Sequence, residues 1–247
     1  MIRQLIREML LQEAGSPTAN AASQGLAVIV SGDPKLQATV IIYDPMILKR
    51  KIESIAAGPG NDPAKKARIA RSAADTFEED REPAVRAAVN YIVPLKDEYI
   101  GQCYGTGVIK ASLSWYKTGL GPAAYEAAMW YAGGLSSDRG EVSSKARGVW
   151  KTYKSRADSG EIDALPFDNY ENPKTPQPED DCMVYGGGKR SPLNFSYRQK
   201  SKPPGLDELE RNHQEFLRVL DSYGYPVQTF PEKMEALFDS MWYSRMG

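Results

Sequence analysis

From Ile109 to Tyr116 apolar and polar residues alternate without a break. Ile109, Ala111, Leu113 and Trp115 point one way, and Lys110, Ser112, Ser114 and Tyr116 the other. That period of two predicts a half-buried strand. The strand runs into Lys117-Thr118-Gly119-Leu120-Gly121-Pro122 and then into an alanine-rich helix. On this helix Ala124, Ala127, Ala128 and Tyr131 share one face, and Gly133-Gly134 ends it. Pro122 suits a first helical turn, where its missing N–H would have no partner anyway. Gly119 and Gly121 let backbone N–H groups approach a ligand closely, and the new helix adds the positive end of its dipole. Strand, glycines and helix start together predict an anion site, with a plain tight turn as the structural alternative.

The rest of the chain supplies the surroundings. Residues 2–11 place Ile2, Leu5, Ile6, Met9 and Leu10 on one helical stripe, opposite Arg3, Gln4, Arg7 and Glu8. Residues 15–25 (GSPTANAASQG) are small and polar, which predicts a flexible linker. Two short β runs, Leu26–Ser31 and Ala38–Tyr43, flank Gly32-Asp33-Pro34 and predict an antiparallel pair. Helical patterns follow at Met46–Ile55, at Pro63–Phe77 with Asp62 as its N-cap, and at Pro83–Tyr91. Residues 97–116 are strand-like, and 157–192 predict long loops with a short strand or two. Leu193–Gln199 forms a last strand. Two amphipathic helices close the chain. The first spans Leu206–Leu220, and the second carries Met234, Leu237, Phe238, Met241 and Trp242 as a stripe.

Composition removes several function classes. With 247 residues a core forms without staples, and a net charge of −1 recruits neither nucleic acid nor an anionic membrane. The single histidine, His213, excludes a His-rich metal site within one chain. It falls on the apolar stripe of Leu206–Leu220, where a packed, hydrogen-bonded structural role is expected. Cys103 and Cys182 cannot make a disulfide framework, and neither carries a nucleophile signature. No apolar run reaches the ~20 residues of a membrane helix, so a cytoplasmic setting is expected.

Gly119, Gly121 and Ala124 also fit Gly-x-Gly-x-x-Ala, the dinucleotide fingerprint, with Asp138 near the acidic position. The strand argues against that reading. A first Rossmann strand is buried on both faces and reads as a continuous apolar run, whereas Ile109–Tyr116 alternates.

Residues 108–156, from Val108 to Arg156, resemble the cofactor-binding half of GNAT-family acyltransferases, especially the GNAT-like proteins of tailed bacteriophages. In that family the fourth strand ends in Gln/Arg-x-x-Gly-x-Gly/Ala, whose amides take the CoA pyrophosphate. Here the loop is Tyr116-Lys117-Thr118-Gly119-Leu120-Gly121; both glycines match, and Tyr116 replaces Gln/Arg. The resemblance covers roughly residues 24–160. It implies acetyl-CoA as cofactor, held by Tyr116, Lys117, Thr118, Gly119, Leu120, Gly121, Ala123 and Ala124, and acyl transfer to a small-molecule or protein amine without a metal. It also implies that a tyrosine on the helix after the fifth strand protonates the departing thiolate. Ala146, Val149, Trp150 and Tyr153 form an i, i+3, i+4, i+7 stripe there, which makes Tyr153 the candidate acid or a core residue. Lys145, Arg147, Lys151 and Lys154 are candidate phosphate contacts or a solvated basic face.

Leu11-Gln12-Glu13-Ala14 further resembles the Leu/Ile-x-Glu cleavage sequence of tailed-phage prohead proteases, with the cut after Glu13. The reading is therefore a mixed α/β (α+β) fold with a mainly antiparallel sheet flanked by helices. Its parts are a leader over 1–14, a linker over 15–25, a GNAT-like domain over 26–205 and a helical extension over 206–247. The leading activity is acyl-CoA-dependent N-acyl transfer in the host cytoplasm. The rival is a non-catalytic virion or head-internal protein, packaged through contacts of residues 1–14 with phage head proteins.

Overall fold

The computed structural model describes residues 15–56, 84–94, 106–114, 119–137, 142–167 and 191–246. Strand β1 (Ala27–Asp33) pairs antiparallel with β2 (Gln37–Tyr43), as the sequence predicts. The turn, however, runs through Pro34–Leu36, since Gly32 and Asp33, expected in the turn, still pair with Ala38 and Gln37. Gly32 is required there. Its φ is +89°, and a Cβ would lie 2.5 Å from the carbonyl oxygen of Gln37. Helix α1 (Pro17–Ser23) precedes the hairpin, and α2 (Pro45–Ala56) follows it, its first amides capped by Asp44 Oδ1 at 3.0 and 3.3 Å. The chain continues through β3 (Val85–Ile92), β4 (Gly107–Ser114), α3 (Gly121–Ala132), β5 (Leu135–Ser136), α4 (Ser144–Asp158), β6 (Ile162–Pro166) and β7 (Phe195–Gln199). Helices α5 (Leu206–Ser222) and α6 (Phe230–Met246) complete it.

The seven strands form one sheet in the order β1-β2-β3-β4-β5-β7-β6, and only the β4–β5 pair is parallel. This is the mainly antiparallel α+β sheet flanked by helices that the sequence implied. Side-chain alternation along the strands separates two cores. Val28, Val40, Ile42, Val89 and Tyr91 face α1, α3 and α4. Ile29, Ile41, Tyr43 and Ala88 face α2, α6 and the second half of α5. Helix α5 crosses the outside of β1, giving Leu206 and Leu209 to the first core and Phe216 and Leu220 to the second. It thereby covers the open edge of the sheet, where unpaired backbone would otherwise invite another chain. Asn212 Nδ2 donates to the Leu26 carbonyl at 2.7 Å on that edge.

Three expectations need correction. Residues 83–91 were expected as a helix, but Val85–Ile92 is a central strand paired on both sides. Alanines 87 and 88 suggest helix locally. In the sheet they face opposite cores and let helices pack close, so tertiary burial overrides propensity. Residues 15–25 are not a loose linker, because α1 buries Thr18 and Ala21 completely. Composition conceals this, since the anchors are hydroxyls rather than large apolar groups. Finally, the unbroken alternation from Ile109 does not hold. Tyr91 pairs with Ile109 but Asn90 pairs with Ala111, so β4 carries a bulge with Lys110 as the extra residue. Beyond it the faces exchange: Ile109 lies in the first core, and Ala111 packs on the second. The helix expected over Pro63–Phe77, both cysteines and the leader of residues 1–14 fall outside the described residues.

Candidate functional site

Parallel pairing of β4 with β5 lasts for only two residue pairs, Gly107 with Leu135 and Val108 with Ser136. Ser136 Oγ also donates across this short ladder to the Gly107 carbonyl at 3.2 Å. Past Val108, β4 continues from Ile109 to Ser114 with β3 on one side and no strand partner on the other among the described residues. On the far side of the gap, β5 is continued by Ser137, whose hydroxyl donates to the Leu193 carbonyl at 3.2 Å. Among the described residues, then, β4 and β5 part beyond the Val108–Ser136 pair. Crevices of this kind, where a parallel connection departs from its neighbours, are where open α/β sheets bind ligands.

Helix α3 is the next described element after β4. Gly119 adopts φ +68° and is exposed, with nothing within 4 Å of where a Cβ would sit. Leu120 takes the N-cap position, and no side chain caps the helix. The first intrahelical bonds run from the amides of Ala123 and Ala124 to the Leu120 carbonyl, at 3.0 and 3.4 Å. This divides the expected cofactor residues. Amides at Gly119, Leu120 and Gly121 precede the first intrahelical bonds, at the positive end of the helix. Ala123 and Ala124 are buried with their amides engaged, so they support the turn without offering donors. Tyr116, Lys117 and Thr118 lie outside the described residues.

Behind the split stands an aromatic wall. Trp150 on α4 stacks on Tyr197 of β7 with ring centroids 5.6 Å apart, and it meets Tyr125 of α3 edge-on at 5.6 Å and Tyr153 at 5.8 Å. Tyr153 is 1% exposed, and its hydroxyl donates to the Pro122 carbonyl at 3.1 Å. Burial, helped by the nearby Glu126 carboxylate, raises its pKa well above the ordinary tyrosine value. Tyr125 instead meets Ser112 of β4, hydroxyl to hydroxyl, at 2.9 Å.

The remaining basic residues of α4 divide as well. Lys145, Arg147 and Lys151 lie on its exposed side, whereas Lys154 pairs with Asp158 and lies over the Phe195 ring at 5.1 Å. Arg156 turns inward to Glu126.

Glu126 escaped sequence reasoning. This fully buried carboxylate accepts from Ser16 Oγ at 2.9 Å, from Thr18 Oγ1 at 3.0 Å and from the Thr18 amide at 3.3 Å, and it pairs with Arg156. Burial works against the Arg156 charge, but Glu161 and Glu126 together outweigh it and raise its pKa. A signal was present: Glu126 is the only charged residue in Gly121–Ala132, and a helix that apolar buries most of its circumference.

His213 is the packed histidine expected. Its Nδ1 lies 2.8 Å from the Tyr43 hydroxyl, its ring stacks on Phe230, and burial lowers its pKa to about 4. A cavity of about 280 Å³ between α2 and α5 is lined by Pro45, Met46, Lys49, Glu215 and Phe216. It belongs to the β1 edge, with β2 and β3 between it and the split. Among the described residues no helix is long and apolar enough to cross a membrane, and no cluster of His, Cys, Asp and Glu could hold a metal ion.

No protein-family model, no curated protein and no solved structure matches this chain.

Proposed function

We propose that the protein binds an acyl-CoA in the β4–β5 split and transfers the acyl group to an amine. The observation that carries this reading is the combination of three features along one strand–turn–helix segment. Parallel pairing ends at Val108, β4 is bulged at Lys110, and an uncapped helix begins at Gly121 behind the positive-φ Gly119. Each answers a different part of the cofactor. The amides of Gly119–Gly121 and the α3 dipole suit a pyrophosphate. The backbone edge of β4 beyond Val108 suits an extended, amide-bearing arm, which can hydrogen-bond to it as an added strand does. A bulge takes one residue out of the ladder, and a backbone N–H so released in a sheltered crevice can stabilise a thioester oxygen as it becomes anionic. Mass spectrometry of the natively purified protein tests this reading. Copurified CoA or acyl-CoA supports it, and its loss from Gly121→Val places it at the α3 start.

A second reading is a virion or head-internal protein of a tailed phage that keeps this fold without activity. It draws on the Tyr116 departure and on Tyr153, whose hydroxyl is turned to a backbone carbonyl and shut away from solvent. A protein that binds CoA but releases none of it from acetyl-CoA in the presence of amines would favour this reading.

A further inference from the structure

We propose that the cavity between α2 and α5 is a binding site for a free apolar α-amino acid, separate from the acyl-CoA crevice. Its walls are the first ground. Phe216 gives it a buried surface, and Val219 on the same helix and Met46 on α2 stand beside it. Met46 is 48% exposed, one of two large apolar side chains that the described residues leave open to solvent. An apolar group seated in the cavity covers that surface, which favours binding. Size is the second ground. At about 280 Å³ the cavity lies at the small end of ligand sites, so a single side chain fits and a nucleotide or folded peptide does not.

Charge then selects among small apolar molecules. Glu215 of α5 lines the cavity, is exposed, and makes no ion pair among the described residues. Asn212, also in the lining, donates through Nδ2 to the Leu26 carbonyl, which leaves its Oδ1 as an acceptor. Both groups suit an ammonium. Lys49 brings the opposite charge from the α2 side. Its Nζ lies 3.8 Å from Glu53 with both side chains well exposed, so that pair contributes little and yields readily to a ligand. A plain carboxylic acid would meet Glu215 as a like charge, and a plain amine would meet Lys49 as one. A zwitterion satisfies both. Its ammonium faces Glu215 and Asn212, its carboxylate faces Lys49, and an apolar side chain packs on Phe216. Leucine, methionine and phenylalanine have this form.

Calorimetry on the full chain without acetyl-CoA tests this, and its outcome leaves the acyl-CoA reading untouched. L-phenylalanine and L-leucine should bind saturably at one site. Phenethylamine lacks the carboxylate and 3-phenylpropionate lacks the amine, and each should bind about tenfold or more weakly than phenylalanine, the worth of one charge-assisted hydrogen bond. Glu215→Gln should weaken phenylalanine by a similar factor without weakening 3-phenylpropionate. Lys49→Gln should weaken phenylalanine without weakening phenethylamine. Absence of heat with the wild-type protein at millimolar phenylalanine and leucine would overturn the proposal. So would a phenylalanine affinity that neither substitution changes, which would put the binding elsewhere. Equal affinity for phenylalanine and both analogues would overturn the amino-acid assignment, because the charged groups would then recognise nothing.

Discussion

The Tyr153 hydroxyl donates to the Pro122 carbonyl at 3.1 Å, so helix α4 holds the first turn of α3 from within the core. That bond joins the aromatic wall to the turn that follows Gly119. Tyr153→Phe keeps the ring and removes one neutral hydrogen bond, which costs about 1 kcal/mol of unfolding free energy. Tyr153→Ala leaves a cavity and should cost ~3–5 kcal/mol. Urea titration reads both. Equal losses for the two variants would mean the ring contributes nothing to packing.

A second prediction concerns the start of the fold. Glu126 draws its hydroxyl partners from Ser16 and Thr18, so the described chain is anchored from residue 16. Deleting residues 1–14 should leave the thermal transition within about a degree or two, since surface changes away from such anchors are worth only a few tenths of a kcal/mol. Deleting residues 1–18 removes both hydroxyls from a buried charge and should lower the midpoint clearly. A large drop already at residue 14 would show that the leader stripe packs on the domain.

Arg156 supplies the countercharge at the same place. Arg156→Ala leaves Glu126 buried without a cation, and breaking a buried pair from one side typically costs ~3–5 kcal/mol. Changing Arg156 and Glu126 together to apolar residues should recover part of that loss. A double-mutant cycle measures it, and strict additivity would mean the two residues do not interact.

Stability should also fall on mild acidification. His213 has a folded pKa of about 4 against an ordinary 6.5, because burial opposes its charge. Between those values the unfolded chain takes up a proton that the folded chain does not. This contribution is present above about pH 6.5 and is lost as pH falls towards 4, on the order of 2 kcal/mol for a partly exposed ring. Urea midpoints at intervals across this window should show the slope, and His213→Asn should flatten it. An unchanged slope would place the sensitivity elsewhere.

Much of this architecture is legible from local pattern. The β1–β2 hairpin, the strand–glycine–helix passage into α3, the last strand and both closing helices all follow from period and turn chemistry. What stays hidden depends on residues distant in sequence. The bulge at Lys110 exists only in the register against Asn90 and Tyr91, so a run of alternating side chains cannot reveal it. Val85–Ile92 becomes a strand because β2 and β4 lie on either side of it. Helix α1 is fixed by Glu126, more than a hundred residues away. At the site the two glycines were readable. The partners of Tyr125 and Tyr153, at Ser112 and Pro122, were not, because they are set by packing between elements.

Titration of the purified full-length protein with acetyl-CoA in a calorimeter tests the central claim most directly. The account predicts saturable heat with one site per chain, and its loss in Gly121→Val, whose side chain would stand where phosphate meets the α3 amides. No heat with the wild-type protein at millimolar acetyl-CoA would contradict it.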